Sequence, residues 1–231
     1  MQHSEWKDFS NFLASLGSLR KQDDGSVFLF RGQPCYEQLL PKIARRNPLL
    51  DTSLIELIMI AELRRNGDRF FSQSQMTELD ILAIAQHHGM ATRLLDWSTN
   101  PLVALWFACN NQDARSGHLY IYKAAKSIVI SQGEQTELFN QQSTKIFKPN
   151  LSNSRVIAQS GWFSLHPHQG VNGVRGLDDD IAHFTSIYHM EIPESEKTSI
   201  MSTLNILGIN HSSLFPDLDG LCKYINWQNG V

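Results

Sequence analysis

The chain has 231 residues and is 42% hydrophobic, enough to build a core for one large or two small domains. Its net charge of −3, with Lys and Arg spread along the chain, excludes an overall basic nucleic-acid footprint. Three dispersed cysteines without a CxxC pair exclude a disulfide framework and predict a reducing compartment. The polar start and the lack of a run of about eighteen apolar residues predict a cytoplasmic protein without membrane attachment.

The N-terminal part is predicted to be mainly helical. Apolar side chains recur on one face of a helix near 4–19. A short buried strand is predicted at 27–30, after the turn "KQDDGS". A second helix is predicted to begin near 51–52, where Asp and Thr are suitable caps.

The middle of the chain carries clear start and stop signals. A third helix is predicted to start at Thr77, with Asp80 completing a capping-box-like pattern, and to end before Gly89. The segment "TRLLDW" predicts a buried strand. The next helix is predicted to be capped by Asn100 and to begin at Pro101.

From about residue 118, short segments rich in aromatic and β-branched residues predict strands: "HLYIYKA", "SIVIS", "SRVIAQ", "WFSLHP" and "IYHMEI". Helices are predicted at "ESEKTSIMSTLNILG" and "FPDLDGLCKYINW", and the polar stretch 131–154 is predicted to be a mobile loop. Helices followed by a late, mainly antiparallel sheet predict an α+β fold. We expect a single domain over 1–231.

Three segments carry chemistry that a plain core does not need: 31–33, 85–101 and 155–168. In the first, Arg31 follows a strand, and its five fixed donors suit a carboxylate or phosphate. Gly32 would let a backbone approach closely. The first segment therefore predicts contact with an anionic group.

The second segment is the most polar and allows two interpretations. Arg93 and Asp96 lie on opposite faces of an extended strand, so each needs its own partner, in a ligand site or in buried structural hydrogen bonds. Ser98 and Thr99 precede a helix and serve either its cap or an anion site. His88 either bonds a helix-end carbonyl or acts as an acid or base in a cleft.

Three blocks of the sequence resemble the signature blocks of the FRG-domain family, which is named for its (F/Y)RG motif. They are "FLFRGQPCYEQLLPKIAR" within 27–46, "LAIAQHHGMATRLLDWSTNPLVALWFAC" around 85–109 and "RVIAQSGWFSLH" within 155–168. The closing "LFPDLDGLCKYI" is also similar, and Ala91 departs from the usual Pro. The family occurs mainly in bacteria and their mobile elements, which implies a toxin or phage-defence effector.

A second resemblance is to the arginine–serine–glutamate class of ADP-ribosyltransferases, in the order of (F/Y)RG, a Ser-Thr pair and an A-x-x-F-A helix. This resemblance implies that Arg31 holds the phosphates and ribose of NAD and that Gly32 lets the backbone approach the nicotinamide amide. It assigns Ser98 and Thr99 to the nicotinamide pocket. We therefore predict a nucleotide-binding cleft with these residues: Arg31, Gly32, Gln33, Arg93, Asp96, Ser98 and Thr99.

The class also places a catalytic Glu on a late strand, where this chain has Gln159. A Gln can hydrogen-bond a ribose hydroxyl but carries no charge, and losing such a group typically costs on the order of a hundred- to a thousandfold in rate. The nearest strand carboxylate is Glu191, whose place the sequence leaves open. Three alternatives follow: a slow enzyme, an enzyme in which Asp96 serves, or a protein that only binds a nucleotide. The predicted catalytic residues are Arg31, Ser98, Gln159 and His88.

Other interpretations remain open. A non-enzymatic module would use Arg31, Arg93 and the histidines to bind a nucleic acid or a protein, and a hydrolase would use His87, His88 and Asp96. No metal site is predicted, because the histidines at 166 and 168 lack an HExxH motif or a Cys pair. The sequence does not identify the macromolecular target of an effector.

Overall fold

The computed structural model describes residues 1–19, 24–67, 69, 76–111, 115–131, 139–150, 154–180, 182–183 and 186–231. Within these ranges one seven-stranded sheet is packed between helices and extended segments. Its strand order is β1-β7-β4-β2-β3-β6-β5, and only the β1–β7 pair of named strands is parallel. The predicted α+β class with a mainly antiparallel sheet is confirmed.

The strands of this sheet are β1 (Gln2–Glu5), β2 (Val27–Gln33), β3 (Leu94–Ser98), β4 (Gly117–Ala124), β5 (Lys145–Phe147), β6 (Gly161–Leu165) and β7 (Ile187–Ile192). The described helices are α1 (Phe9–Leu19), α2 (Ser53–Gly67), α3 (Glu78–His87), α4 (Pro101–Cys109), α5 (Ser154–Ala158), α6 (Glu194–Ile206), α7 (His211–Leu214) and α8 (Leu218–Asn229). No helix in the described ranges has the length and apolar character needed to cross a bilayer.

The predicted caps of α3 and α4 are confirmed. Thr77 accepts a hydrogen bond from the backbone N–H of Asp80, and the Asp80 carboxylate accepts from the backbone of Thr77, which completes a capping box at α3. Gly89 follows the C-cap with φ +93°, in the left-handed region that glycine tolerates. Asn100 caps α4 through the N–H of Leu102.

Several boundaries predicted from the sequence are wrong. The first helix begins at Phe9, because 2–5 instead extends along β7 as the edge strand β1. The segment "SRVIAQ" forms the helix α5, and "SIVIS" at 127–131 overlaps a 3₁₀ turn at 126–128 and pairs through the isolated bridge Val129↔Ile146. Both are short segments whose β-branched residues favour strands only where a neighbouring strand supplies the pairing. Part of the predicted 131–154 loop lies outside the described residues, and 145–147 within it forms β5.

Helix α4 packs on one face of the sheet and is almost wholly buried. Its side chains join Phe30 and Leu119 in the largest apolar cluster, together with residues of α1 and α6. The fit depends on Gly32, since a Cβ there would overlap the carbonyl oxygen of Ala104 and lie 2.5 Å from the nitrogen of Ala108. The glycine of the RGQ segment therefore allows a helix to approach β2 closely.

The opposite face of the sheet contains a chain of buried polar groups. Trp97 donates from Nε1 to Ser164 Oγ at 2.9 Å, and Ser164 Oγ lies 2.9 Å from His166 Nε2. His166 Nδ1 lies 3.2 Å from the carbonyl oxygen of Arg175 and must donate to it. A neutral imidazole makes every hydrogen bond in this series, with one nitrogen accepting and the other donating. Burial lowers the pKa of His166 to about 4.

As the pH falls, His166 therefore binds a proton in the unfolded chain before it does so in the folded protein. The folded protein should lose stability over this pH range. The stabilising contribution is present above the unfolded pKa of about 6.5 and is lost as the pH falls towards about 4. We expect the gap in free energy of unfolding between wild type and His166→Gln to shrink by on the order of 2 kcal/mol from pH 8 to pH 5. Urea unfolding at a series of pH values measures this gap, and a gap independent of pH would contradict the assignment.

Candidate functional site

The main candidate site is a cleft of about 310 Å³ where β2 and β3 separate. In the described structure these strands share the single register pair Phe30↔Ser98, whereas β2 pairs with β4 along its whole length. The polar side chains that line the cleft are Arg31, Gln86, His87, Asp96, Ser98, Arg155 and Gln159. Its apolar walls are formed mainly by Phe30, Trp97, Phe107 and Phe215.

Arg31 lies at the end of β2 with its side chain 13% exposed. Its Nη1 donates to the carbonyl oxygen of Asp96 at 2.8 Å and lies 3.8 Å from Asp96 Oδ2. With the Gln33 amide oriented to satisfy both neighbours, Gln33 accepts from Arg31 Nε at 3.2 Å and donates to the carbonyl of Glu37. Burial lowers the pKa of Arg31 while Asp96 opposes that shift, and an arginine stays charged in proteins. Gln33 thus orients Arg31 from outside the cleft.

Asp96 supplies the carboxylate among the residues that line the cleft. Its Oδ1 accepts from Gln86 Nε2 at 3.1 Å, and the same amide donates to the carbonyl of Leu94. Gln86 Oε1 in turn accepts from the Thr92 hydroxyl. The Asp96 side chain is nevertheless 58% exposed, so a carboxylate held between an amide and Arg31 faces solvent in the cleft.

Ser98 and Thr99 attach the end of β3 to the turn that follows α5. Ser98 Oγ donates to the carbonyl of Gln159 at 2.7 Å and accepts from the N–H of Asn100 at 2.9 Å. The Thr99 N–H donates to the carbonyl of Ser160, whose φ of +49° is positive. Ser98 therefore lies in the cleft with its hydrogen bonds made, whereas Thr99 is not among the lining residues.

Gln159 reaches the cleft from the turn after α5 rather than from a strand. Its side-chain amide donates to the carbonyl of Leu214 at 3.1 Å, which joins this turn to α7. Glu191, the carboxylate left unplaced by the sequence, lies exposed on β7, which β4 separates from β2. Glu191 is not among the residues lining the cleft.

Arg155 is a cleft residue that the sequence reasoning did not single out. It lies on α5 four residues before Gln159, so the turn of the helix brings both residues to the cleft. Its Nε donates to Asp217 Oδ2 at 2.7 Å, and its guanidinium lies 5.5 Å from the centre of the Phe215 ring. The spacing of four residues between Arg155 and Gln159 was the signal in the sequence, because it brings the two side chains together if "SRVIAQ" is helical.

Of the two adjacent histidines, it is His87 that lines the cleft. His88 is the exposed C-cap of α3, with its ring edge-on to that of His87. Burial, followed by the charge of Arg155, lowers the pKa of His87, which keeps its imidazole neutral at neutral pH. His87 can therefore accept or donate a hydrogen bond at the cleft wall.

Arg93 lies outside the cleft, in a buried ion pair with α2. Its Nε is 2.5 Å from Glu56 Oε2, its backbone N–H donates to Glu56 Oε1 at 2.8 Å, and its Nη2 donates to Ser53 Oγ. The two charged side chains are 4% and 0% exposed. Arg93 thus holds α2 against the start of β3, in keeping with the structural alternative for this residue.

The lining residues suit a ligand that is both anionic and aromatic. The guanidinium groups of Arg31 and Arg155 can donate to phosphate oxygens, and Phe107 and Phe215 offer rings for stacking. In the described part of the chain, no group of three or more His, Cys, Asp or Glu side chains is arranged to hold a metal ion.

In a comparison with protein families, the sequence model of the FRG domain matches residues 26–117 of this chain. This range includes β2, α2, α3, β3 and α4, and therefore Arg31, Asp96 and Ser98 of the cleft. Arg155 and Gln159 lie beyond the matched range. No curated protein and no solved structure matches the chain.

Proposed function

We propose that this FRG-domain protein binds NAD or a related dinucleotide in the cleft between β2 and β3 and cleaves its nicotinamide–ribose bond. The observation that supports the proposal is the convergence of four predicted residues, Arg31, Asp96, Ser98 and Gln159, which come from three separate segments of the chain. Two guanidinium groups, a carboxylate and aromatic walls are the groups that a pyrophosphate, a ribose and flat rings require.

Arg31 is the proposed anchor of the pyrophosphate. It is largely buried, and its guanidinium is fixed by the Asp96 carbonyl and Gln33, so little entropy is lost when a phosphate binds. Arg155 lies on the α5 wall of the same cleft and would hold a second group of the ligand. Gly32 supports this site indirectly, since it lets α4 pack against the strand that carries Arg31.

Asp96 is the proposed catalytic carboxylate, in the role that a Glu has in the arginine–serine–glutamate class. Cleavage breaks the bond between ribose C1′ and the nicotinamide nitrogen, and the electron pair leaves with the neutral nicotinamide. Asp96 would stabilise the cationic ribose and accept a hydrogen bond from its 2′-hydroxyl. Water or a nucleophile of a target then bonds to C1′ and releases one proton. Ser98 and Gln159 position the cleft wall through the bond from Ser98 Oγ to the Gln159 carbonyl.

The biological role that fits this chemistry is an effector of the toxin or phage-defence type, as the family resemblance implies. Depletion of NAD or modification of a macromolecule would stop the growth of a cell. Expression of wild type should therefore slow growth of a bacterial host, and expression of Arg31→Ala should not.

Nicotinamide release by the purified protein tests the activity. We expect Asp96→Asn, which removes a charge and keeps the shape, to lower the release rate about a hundred- to a thousandfold while NAD still binds. Arg31→Ala should weaken NAD binding about ten- to a hundredfold, because it removes charge-assisted hydrogen bonds. Titration calorimetry measures binding, and chromatography measures the released nicotinamide.

Lys126→Ala is the matched control, since Lys126 is an exposed cation that does not line the cleft. It should bind and cleave NAD like wild type. If wild type neither binds NAD nor releases nicotinamide, the proposal is wrong and a recognition module becomes the better interpretation. Salt-dependent binding of RNA or DNA would then test that alternative.

A further inference from the structure

Helix α2 presents an apolar stripe to solvent. Leu54, Leu57 and Ile58 are 69%, 46% and 54% exposed, and Ala61 is exposed one turn further on. Their spacing of i, i+3, i+4 and i+7 aligns them along one side of the helix. Leu50, three residues before the helix, is also exposed, at 49%. Such a stripe is the pattern of a helix that packs against another helix.

Contacts on the inner face of α2 fix the orientation of the helix. The exposure of the stripe therefore does not result from loose packing. Glu56 and Ile60 face inward and are 0% and 8% exposed. The Glu56 carboxylate accepts from both the backbone N–H and the Nε of Arg93. Rotating α2 to bury its stripe would break this buried ion pair, which is strongly destabilising.

The charges at the two ends of the stripe are opposite in sign, so two copies of α2 in antiparallel orientation would be complementary. Asp51 precedes the helix at its N-terminal end, and Arg64 and Arg65 lie exposed in its last turn. Between Leu54 and Ala61 the one charged residue is Glu56, which faces inward. Arg64 lies 3.8 Å from Glu78 and Arg65 lies 3.8 Å from Glu62, in exposed pairs that contribute little. An identical helix laid antiparallel on the stripe would bring Asp51 of each copy near Arg64 of the other.

We propose that α2 forms a two-fold, antiparallel interface with α2 of a second copy of this chain. Leu57 of one copy then lies opposite Ile58 of the other, at the two-fold axis. Leu54 packs over the small Ala61 side chain, which lets the helices approach closely, and Asp51 faces Arg64. A membrane surface fits less well, because a helix lying on lipid carries an excess of Lys and Arg beside its apolar face.

Self-association and its loss on Ile58→Glu are the first test. Sedimentation of wild type over a range of concentrations should show a monomer–dimer equilibrium, and Ile58→Glu should sediment as a monomer with an unchanged circular dichroism spectrum. Ile206→Glu is the control, since Ile206 is 84% exposed on α6 and should leave the dimer intact. A monomeric wild type, or a dimer that survives Ile58→Glu, would overturn the proposal.

Oxidative cross-linking tests the direction of the helices, in a background with Cys35→Ser and Cys222→Ser. Ile58→Cys should cross-link with itself, because a disulfide needs Cα atoms within about 7 Å and this residue lies at the axis. A mixture of Leu54→Cys and Ala61→Cys chains should cross-link, whereas either variant alone should not. If Leu54→Cys alone cross-links and the mixture gives no mixed product, the antiparallel arrangement is wrong.

Discussion

Replacing Glu56 with alanine is expected to lower the free energy of unfolding by about 3–5 kcal/mol. The substitution leaves the guanidinium of Arg93 buried, at 4% exposure, without its carboxylate, and it removes the acceptor of the Arg93 backbone N–H. The cost comes mainly from desolvating the guanidinium without the Glu56 carboxylate, rather than from the net worth of the ion pair itself. Urea unfolding followed by circular dichroism measures the change.

Glu62→Ala is the matched control for this prediction. Glu62 lies on the same helix and pairs with Arg65 at 3.8 Å, but both side chains are more than half exposed. Exposed ion pairs contribute little, so its loss should change the free energy of unfolding by less than about 1 kcal/mol. Equal effects of Glu56→Ala and Glu62→Ala would show that the Arg93 ion pair does not hold α2 in place.

Gly32→Ala is expected to destabilise the fold by at least about 3 kcal/mol or to prevent folding. The added methyl group would overlap the backbone of Ala104 and Ala108, and a helix backbone cannot move aside as a flexible side chain can. Because α4 is the buried helix behind the cleft, its displacement should also abolish ligand binding. Thermal and urea unfolding measure the first effect, and NAD titration measures the second.

Gly17→Ala separates crowding from the general effect of replacing a glycine. Gly17 lies in α1, and a Cβ added there meets nothing within 4 Å. This control should be neutral or stabilise by up to about 1 kcal/mol, because alanine favours a helix. If Gly32→Ala were tolerated as well as Gly17→Ala, the close contact between β2 and α4 would be disproved.

Local signals in the sequence predicted the features that depend on neighbours in the chain. Two examples are the capping box at Thr77 and Asp80 and the start of α4 at Asn100. Each depends only on residues within one helical turn, so the local sequence is enough to predict it. The segment "TRLLDW" likewise predicts β3 from its own composition. These elements include one wall of the cleft.

Features that depend on distant partners were beyond the sequence. Nothing in the letters around Arg93 indicates that Glu56 lies against it, and β1 forms only because β7 offers an edge. The helix α5 is five residues long, so its strand-like composition outweighed the helical spacing that brings Arg155 and Gln159 together. The arrangement of the cleft follows from tertiary contacts of this kind.

The single register pair between β2 and β3 gives the sheet a seam. On one side lie β1, β7, β4 and β2, and on the other lie β3, β6 and β5. Besides that pair, the bond from Arg31 to the carbonyl of Asp96 spans the seam. A ligand that bound both Arg31 on one side and Arg155 on the other would link the two parts of the sheet. Occupancy of the cleft would then stiffen the whole sheet, and its mechanical strength would depend on whether the cleft is filled.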